Sequence, residues 1–318
     1  LGVDSSLQQL DMRREIRERV LSIQSHVVHG YVGNKAAVFP LQVLGIEVDA
    51  INSVQFSNHT GYPRFTGDRL TGERLEELIS GLESNGLLGG YSHILTGYIG
   101  AASFLRAVLR LVRRVRELRP DATFVCDPVL GDKTRGDTHG KLYVPEELVE
   151  IYKNEVIPLA SVLTPNHFEA ELLTGRNISN CSDAFDACGH LHAQGVRTVV
   201  ITSADLAAGA GAEQCITLLA SQQKEGQEPT RFKIEIPLLP GSYTGTGDLT
   251  AALLLAWMHK LGDANLVEAV EKTIASVQAV LSRTHDEAGP GKELRLVQSV
   301  ADITTPVVIL HATPVANN

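Results

Sequence analysis

From Arg19 onward, short apolar runs alternate with longer stretches whose apolar residues recur at helical spacing. Val20, Leu21 and Ile23 predict a strand over residues 19–25. A glycine-punctuated turn at 29–33 leads into a helix over 35–44 that stops at Gly45, which fits a left-handed C-terminal position. A second strand is expected over 46–52. Residues 71–82 predict a helix capped by Thr71, 92–96 a buried strand, and 103–118 a helix whose non-apolar face carries arginines. Strands follow at 123–126, ending in Asp127-Pro128, and at 162–164, ending in Pro165-Asn166. A helix over 184–194 enters a β-branched strand at 197–202, and later strands are expected at 215–220 and 232–236. Two long helices, 246–260 and 266–283, close the pattern.

Such alternation predicts an α/β fold, a three-layer α/β/α sandwich around a mainly parallel sheet. Neither an internal repeat nor a convincing linker divides the chain. Residues 207–211 and 221–230 read as loops, so 19–318 is expected to be a single domain. Residues 1–18 read as an N-terminal extension, with the polar stretch before Met12 an addition to a native start at that methionine. Polar residues fall repeatedly just past the ends of the expected strands: Ser25, Asp127, Asn166, Thr202 and Ser203. Open α/β sheets bind ligands outside the carboxyl ends of their strands, so this convergence predicts a site there.

Composition narrows the chemistry. Of 318 residues, 43% are hydrophobic and 20% charged, which is ordinary for a soluble protein with a sizeable core. A formal net charge of −9 argues against nonspecific nucleic-acid binding as the main task, though local dipoles can still attract phosphate. Cys126, Cys181, Cys188 and Cys215 form no Cys-x-x-Cys pair, so a zinc site is not expected; free thiols in a reducing compartment fit better. No apolar run approaches the ~20 residues that span a bilayer, and no signal peptide opens the chain, so a cytoplasmic protein without a membrane partner is the expectation.

The segment Gly245-Thr246-Gly247-Asp248, followed by the apolar run 249–258, reads as a glycine turn opening into a buried helix. Glycines let backbone amides approach a ligand, and a helix start offers free N–H groups with a positive dipole end. Together they suit charge developing on a transferred phosphoryl group, with Asp248 as a base for the attacking hydroxyl. The plain alternative is an ordinary turn and an acid favoured by the helix dipole. Asn166-His167-Phe168-Glu169 sets an amide and a carboxylate on one side of a helix start; it reads equally as a cap or as a group that holds magnesium, often through water. Asp127 and Asp132 are either cation-holding carboxylates or turn acids. A phosphate-binding G-x-x-x-x-G-K-[ST] loop is missing, and Gly289-Pro290-Gly291-Lys292 lacks its spacing. His26, His29, His59 and His167 fit no familiar metal spacing and read as structural, His190 and His192 do not share a helix face, and Arg110, Arg113, Arg114 and Arg116 read as a solvated face.

An ordered series of segments resembles the pyridoxal kinase family of the ribokinase-like superfamily. It runs from Arg19-Val-Leu-Ser-Ile-Gln-Ser-His26 and Gly30-Tyr-Val-Gly-Asn34 through Asn52-Ser-Val-Gln-Phe-Ser-Asn-His-Thr-Gly-Tyr62, Leu95-Thr-Gly-Tyr98 and Thr164-Pro-Asn-His-Phe-Glu-Ala-Glu171. Val200-Ile-Thr-Ser203, Gly245-Thr-Gly-Asp248 and Glu293-Leu-Arg-Leu-Val-Gln-Ser299 complete it. The resemblance implies a ribokinase-like kinase that phosphorylates the 5′-hydroxyl of pyridoxal, pyridoxine and pyridoxamine with ATP, as in vitamin B6 salvage. It implies Asp248 as base, with Gly245, Thr246 and Gly247 forming the anion hole. Ser25 and Thr60 would bind the ring's polar groups, and Tyr98 would pack on the ring. Asp127, Asn166, Glu169, Thr202, Ser203 and Thr246 would surround ATP and magnesium, with Asp127 and Glu169 nearest the metal. Asp132 and Thr164 match positions for a monovalent cation, potassium or sodium. Residues 133–143 would form a loop over the nucleotide, and there the sequence Thr134-Arg-Gly-Asp-Thr-His-Gly140 departs from the family. The resemblance further implies a homodimer. Each contact residue also has a plainer reading: Ser25 as a strand-end cap, Thr60 as a turn partner of Asn58, Tyr98 as core. Two other functions compete: a hydroxymethylpyrimidine kinase on the same scaffold, and a noncatalytic carrier of B6 vitamers, which would need no phosphoryl-transfer groups.

Overall fold

The computed structural model describes residues 18–133, 140–206, 215–289 and 292–316. The extension before residue 18, the centre of the loop after Asp132 and residues 207–211 therefore lie outside the described residues. Within them, ten strands form one sheet in the order β12-β11-β10-β9-β8-β5-β4-β1-β2-β3. Six strands form the parallel centre: β1 (Arg19–Val27), β2 (Glu47–Phe56), β4 (His93–Thr96), β5 (Thr123–Cys126), β8 (Val162–Leu163) and β9 (Thr198–Ala204). Antiparallel β10 (Cys215–Gln222), β11 (Thr230–Pro237) and β12 (Thr313–Pro314) extend one edge, and β3 (Gly67–Arg69) closes the other. A separate two-stranded hairpin pairs β6 (Gly131–Asp132) with β7 (Lys141–Leu142).

Strand alternation decides what each face buries. Leu21 and Ile23 of β1 pack under one helical layer, while Val20 packs under the other. The first layer holds α2 (Gly72–Ser84), α3 (Ala102–Leu118), α4 (Glu146–Ile151), α5 (His167–Thr174) and α6 (Cys181–Ala193). The second holds α1 (Asn34–Val43), α7 (Thr246–Leu261), α8 (Leu266–Ala288) and α9 (Val300–Thr304). Every residue of α7 from Leu249 to Met258 is buried, which explains a run apolar on all sides rather than along one stripe. The expected three-layer sandwich is thus the observed one. The chain passes from β1 outward to β2 and then back across to β4, so the crossover between β1 and β4 opens a crevice at their carboxyl ends.

The predicted elements appear with shifted ends. Thr71 caps α2 by accepting from the Arg74 amide at 3.3 Å, and Gly45 takes φ 84° just past α1. β2 runs on to Phe56 because Val54 and Phe56 pack with Val27, Val32 and Tyr98 beyond the polar interruption Asn52-Ser53. α6 starts at Cys181, where Asn180 accepts from the Asp183 amide at 3.0 Å; the polar first turn hid that start. α4 continues into a π-turn over Tyr152–Val156 and a 3-10 turn over Ile157–Leu159, a stretch that periodicity did not resolve.

The arginine face of α3 is not simply solvated. Arg110 pairs with Glu76, and Arg114 with Glu83, both on the neighbouring α2. Arg116 is half-buried and donates to Ser161 Oγ at 2.8 Å and to the Ala122 carbonyl at 3.2 Å. All four cysteines are free thiols, Cys126 and Cys188 buried. Among the described residues no helix is long and apolar enough to cross a membrane.

Candidate active site

Two helices begin side by side at the crevice, each from a glycine with positive φ. Gly33 (φ 53°) precedes α1 and Gly245 (φ 90°) precedes α7. A Cβ at Gly245 would collide with the Tyr31 carbonyl, and a Cβ at Gly33 with the Ser25 carbonyl and Oγ. Only glycine permits both the backbone conformation and the approach. Ser25, at the carboxyl end of β1 where the pairing with β2 shifts register, is thereby set against the start of α1. Neither helix start carries a side-chain cap, unlike α2, α5 and α6, so the first-turn amides of α7 stay free for an anion.

Asp248 occupies the third position of α7, half-buried. Its Oδ2 accepts from the Gly33 amide at 2.8 Å. Burial raises its pKa to about 6, with the Gly33 amide pulling the other way. Asp127 follows β5 directly and is buried at 6% exposure; a Cβ on Gly247 would lie 3.5 Å from its Oδ2. Burial first, then Glu169 and Asp248, push the Asp127 carboxyl well above its ordinary range. The buried Thr164 hydroxyl beside it favours the ionised form, and among the described residues no group other than Asp127 approaches Thr164 Oγ1 to share that role.

Asn166 and Glu169 form a reciprocal cap. Asn166 Oδ1 accepts from the Glu169 amide at 2.8 Å, and Glu169 Oε2 accepts from the Asn166 amide at 2.9 Å. Glu169 Oε1 also accepts from the amides of Leu130 at 2.8 Å and Gly131 at 3.4 Å, while Asn166 Nδ2 donates to the Gly131 carbonyl at 2.8 Å. The cap reading of this pair is therefore realised, and it anchors the hairpin that carries Asp132. Burial lifts Glu169 to about 7 against the pull of those three amides. Buried carboxyls of this kind, Asp127 and Glu169 with raised pKa values, fit a divalent cation and its phosphate oxygens.

The remaining expected residues line the same end of the sheet. Thr202 bonds through its amide to the Pro165 carbonyl at 3.0 Å, beside Ser203 near the end of β9. Asp132 is exposed, and its Oδ1 accepts from the Lys133 amide at 2.7 Å. Thr246 Oγ1 donates to the Tyr243 carbonyl at 3.3 Å. Tyr98 packs against Val27, Val32, Val54 and Phe56, and its hydroxyl accepts from Arg69 at 3.2 Å. Thr60 is exposed in the loop after β2. Asn58 there bonds Arg64 and His59 carbonyls and the Ser57 hydroxyl rather than Thr60, leaving Thr60 free of the turn role.

One residue escaped the sequence reading. Glu293 Oε2 accepts from the Tyr31 amide at 2.9 Å, its Oε1 accepts from the Tyr62 hydroxyl at 2.9 Å, and His59 Nε2 lies 3.3 Å from Oε1. It ties the loop bearing Thr60 to the turn before α1. Its segment was visible, but nothing local to it announces partners 231 and 262 residues away. Of the histidines read as structural, His167 is bonded at both nitrogens, to the Ile178 carbonyl and the Asp205 amide, whereas His26 Nδ1 is buried without a partner.

A family model described as phosphomethylpyrimidine kinase matches residues 90–294. The pyridoxal kinase of Arabidopsis thaliana is 52% identical over 303 residues, 92% of this chain and 94% of its own. Human pyridoxal kinase is 47% identical over 310 residues, covering 93% and 98% respectively. The solved pyridoxal kinase of Leishmania donovani in complex with ADP and pyridoxamine is 39% identical, covers 94% of this chain and 100% of its own, and superposes with a TM-score of 0.85.

Proposed function

Because the chain belongs to the phosphomethylpyrimidine kinase family, and within it to the pyridoxal kinases, we propose that it phosphorylates the 5′-hydroxyl of pyridoxal with ATP, giving pyridoxal 5′-phosphate. Pyridoxine and pyridoxamine are accepted as related vitamers, and the activity serves vitamin B6 salvage. The observation that carries this reading is the half-buried Asp248 carboxylate in the first turn of α7, held by the Gly33 amide at 2.8 Å beside uncapped backbone N–H groups.

Asp248 takes the proton of the attacking hydroxyl. Its pKa near 6 makes it a better proton acceptor than an ordinary aspartate while leaving it ionised at neutral pH. The amides of Thr246 and Gly247, with the Gly245 turn that lets them approach, face the charge that builds on the transferred phosphoryl group. Ser25 hydrogen-bonds the pyridine ring, Thr60 its polar substituents, and Tyr98 packs on its face. Asp127, Asn166, Thr202, Ser203 and Thr246 border ATP. Asp127 and Glu169 would hold magnesium, which would supply positive charge to the phosphates. Asp132 and Thr164 would hold a monovalent cation, potassium or sodium. A cytoplasmic homodimer belongs to the same reading.

The test is direct. Purified protein with pyridoxal, magnesium and ATP is followed by the absorbance of pyridoxal 5′-phosphate, with Asp248→Ala as control. Loss of ~2–4 orders of magnitude in the control is expected. No product from folded wild-type protein would overturn the reading, and competition with hydroxymethylpyrimidine would then identify the other heteroaromatic alcohol.

A further inference from the structure

At the opposite, amino-terminal end of the sheet, Glu18, His93 and His259 come together from three separate elements. Glu18 immediately precedes β1, His93 opens β4, and His259 lies in the last turn of α7. One ligating atom from each lies within 4.8 Å of the others, and all three side chains are half-buried. We propose that these residues form a second metal site, for zinc or a divalent cation of similar borderline character, separate from the catalytic end. His259 stands eleven residues after Asp248, roughly 16 Å along the axis of α7.

Ser92 Oγ lies 2.8 Å from His93 Nδ1 and engages that nitrogen, leaving Nε2 as the ring atom open to a ligand. Ser92 Oγ also accepts from the Arg19 amide at 3.2 Å, so the serine that orients the imidazole is itself tied to the start of β1. A metal-ligating histidine is characteristically oriented through its second ring nitrogen in this way. The imidazole of His259 meets that of His93 edge-on, with ring centroids 5.2 Å apart and planes at 84°.

Charge and space agree with this geometry. Burial, then the neighbouring His259, lower His93 to about 4, so it is a neutral ligand at pH 7; Glu18 and Asp263 act in the opposite sense, and Arg119 in the same sense as His259. Glu18 is also 3.5 Å from the largely buried Arg119, which keeps Asp121 at 3.5 Å as a second partner when a metal draws Glu18 away. A cavity of about 170 Å³ is bounded by His93, His259, Thr123, Met258 and Asp263, which leaves room for water at an open coordination position. Zinc bonds of about 2.0–2.2 Å require the three side chains to draw in by roughly an ångström, within reach of a rotamer adjustment of the half-buried Glu18 and His259. A bound ion would join the start of β1 and β4 to the far end of the helix that carries Asp248.

The residues lie 75 and 166 positions apart along the chain, which is why the sequence, read for cysteine and histidine spacing, predicted no zinc site. The experiment is zinc titration of tag-free, chelator-stripped full-length protein by calorimetry, in competition with a chromophoric chelator. Wild type should bind one tight equivalent. His259→Gln and Glu18→Gln should each weaken it by ~10-fold or more, while Asp127→Asn should leave that affinity unchanged and His259→Gln should retain phosphorylation measured with magnesium. Zinc should also raise the melting temperature of wild type and not of His259→Gln. Equal zinc binding by wild type, His259→Gln and Glu18→Gln would overturn the proposal, as would loss of the tight equivalent in Asp127→Asn alone or the lack of any tight equivalent in wild type.

Discussion

The Gly33 amide donates a 2.8 Å hydrogen bond to Oδ2 of Asp248 across 215 residues of sequence. That bond joins the starts of α1 and α7 and aims the carboxylate. It also opposes the rise in pKa that burial produces, so Asp248 settles near 6 rather than higher.

The pH dependence follows from that value. Asp248 acts as a base only when ionised, so kcat/KM should fall about tenfold per pH unit below an inflection near 6, well above the 3.8 of an ordinary aspartate. A pH–rate profile measured with pyridoxal limiting checks this. An acid limb that stays near 4 would remove Asp248 as the titrating base.

Stability should move the other way. A folded-state pKa raised above the unfolded value means that ionised Asp248 opposes folding: its cost is absent below pH 4 and complete above pH 6. Asp248→Asn keeps an acceptor for the Gly33 amide and removes the desolvated charge. It is expected to melt no lower than wild type at pH 7 while losing turnover, as a thermal melt beside an activity assay would record.

Gly245→Ala combines a strained φ of 90° with a collision against the Tyr31 carbonyl. The backbone strain costs about 1–2 kcal/mol, and displacement of the first turn of α7 should lower kcat by ~100-fold. A kcat close to wild type would show that the turn tolerates the methyl group.

Glu169→Ala separates the structural role of this residue from its metal role. It strips acceptors from the amides of Asn166, Leu130 and Gly131, so a loss of about 2–4 kcal/mol in denaturant unfolding is expected. If the variant instead unfolds like wild type but needs far more magnesium, the reciprocal cap contributes little.

Glu293 positions the loop bearing Thr60 through Tyr62 and His59. Glu293→Gln should raise KM for pyridoxal by ~5–10-fold, for a loss of one to two charge-assisted bonds. The KM for ATP should stay unchanged. An equal change in both would point to a general loss of packing.

How much was legible depended on how local the cause is. Gly245-Thr246-Gly247-Asp248 could be read because a turn, a helix start and a base are contiguous, and the Asn166–Glu169 cap because its two partners stand three residues apart. Glu293 could not, since its partners Tyr31 and Tyr62 lie on other elements. The arginine face of α3 was legible as a solvated face, and Arg110 and Arg113 are exposed, but the pairs of Arg110 with Glu76 and Arg114 with Glu83 form only once α2 packs alongside. Glu18, His93 and His259 share no spacing at all.

By itself the sequence determined the strand–helix alternation, the central parallel sheet and the chemical identity of the groups at its carboxyl edge. Those follow from backbone hydrogen bonding and side-chain periodicity, which act over a few residues. Tertiary structure decided which carboxylates face one another, how far burial shifts their protonation, and which amide holds Asp248. Those depend on the exclusion of water and on hydrogen-bond contact between distant residues such as Gly33 and Asp248, 2.8 Å apart, which only the packed sheet and its two helical layers bring about.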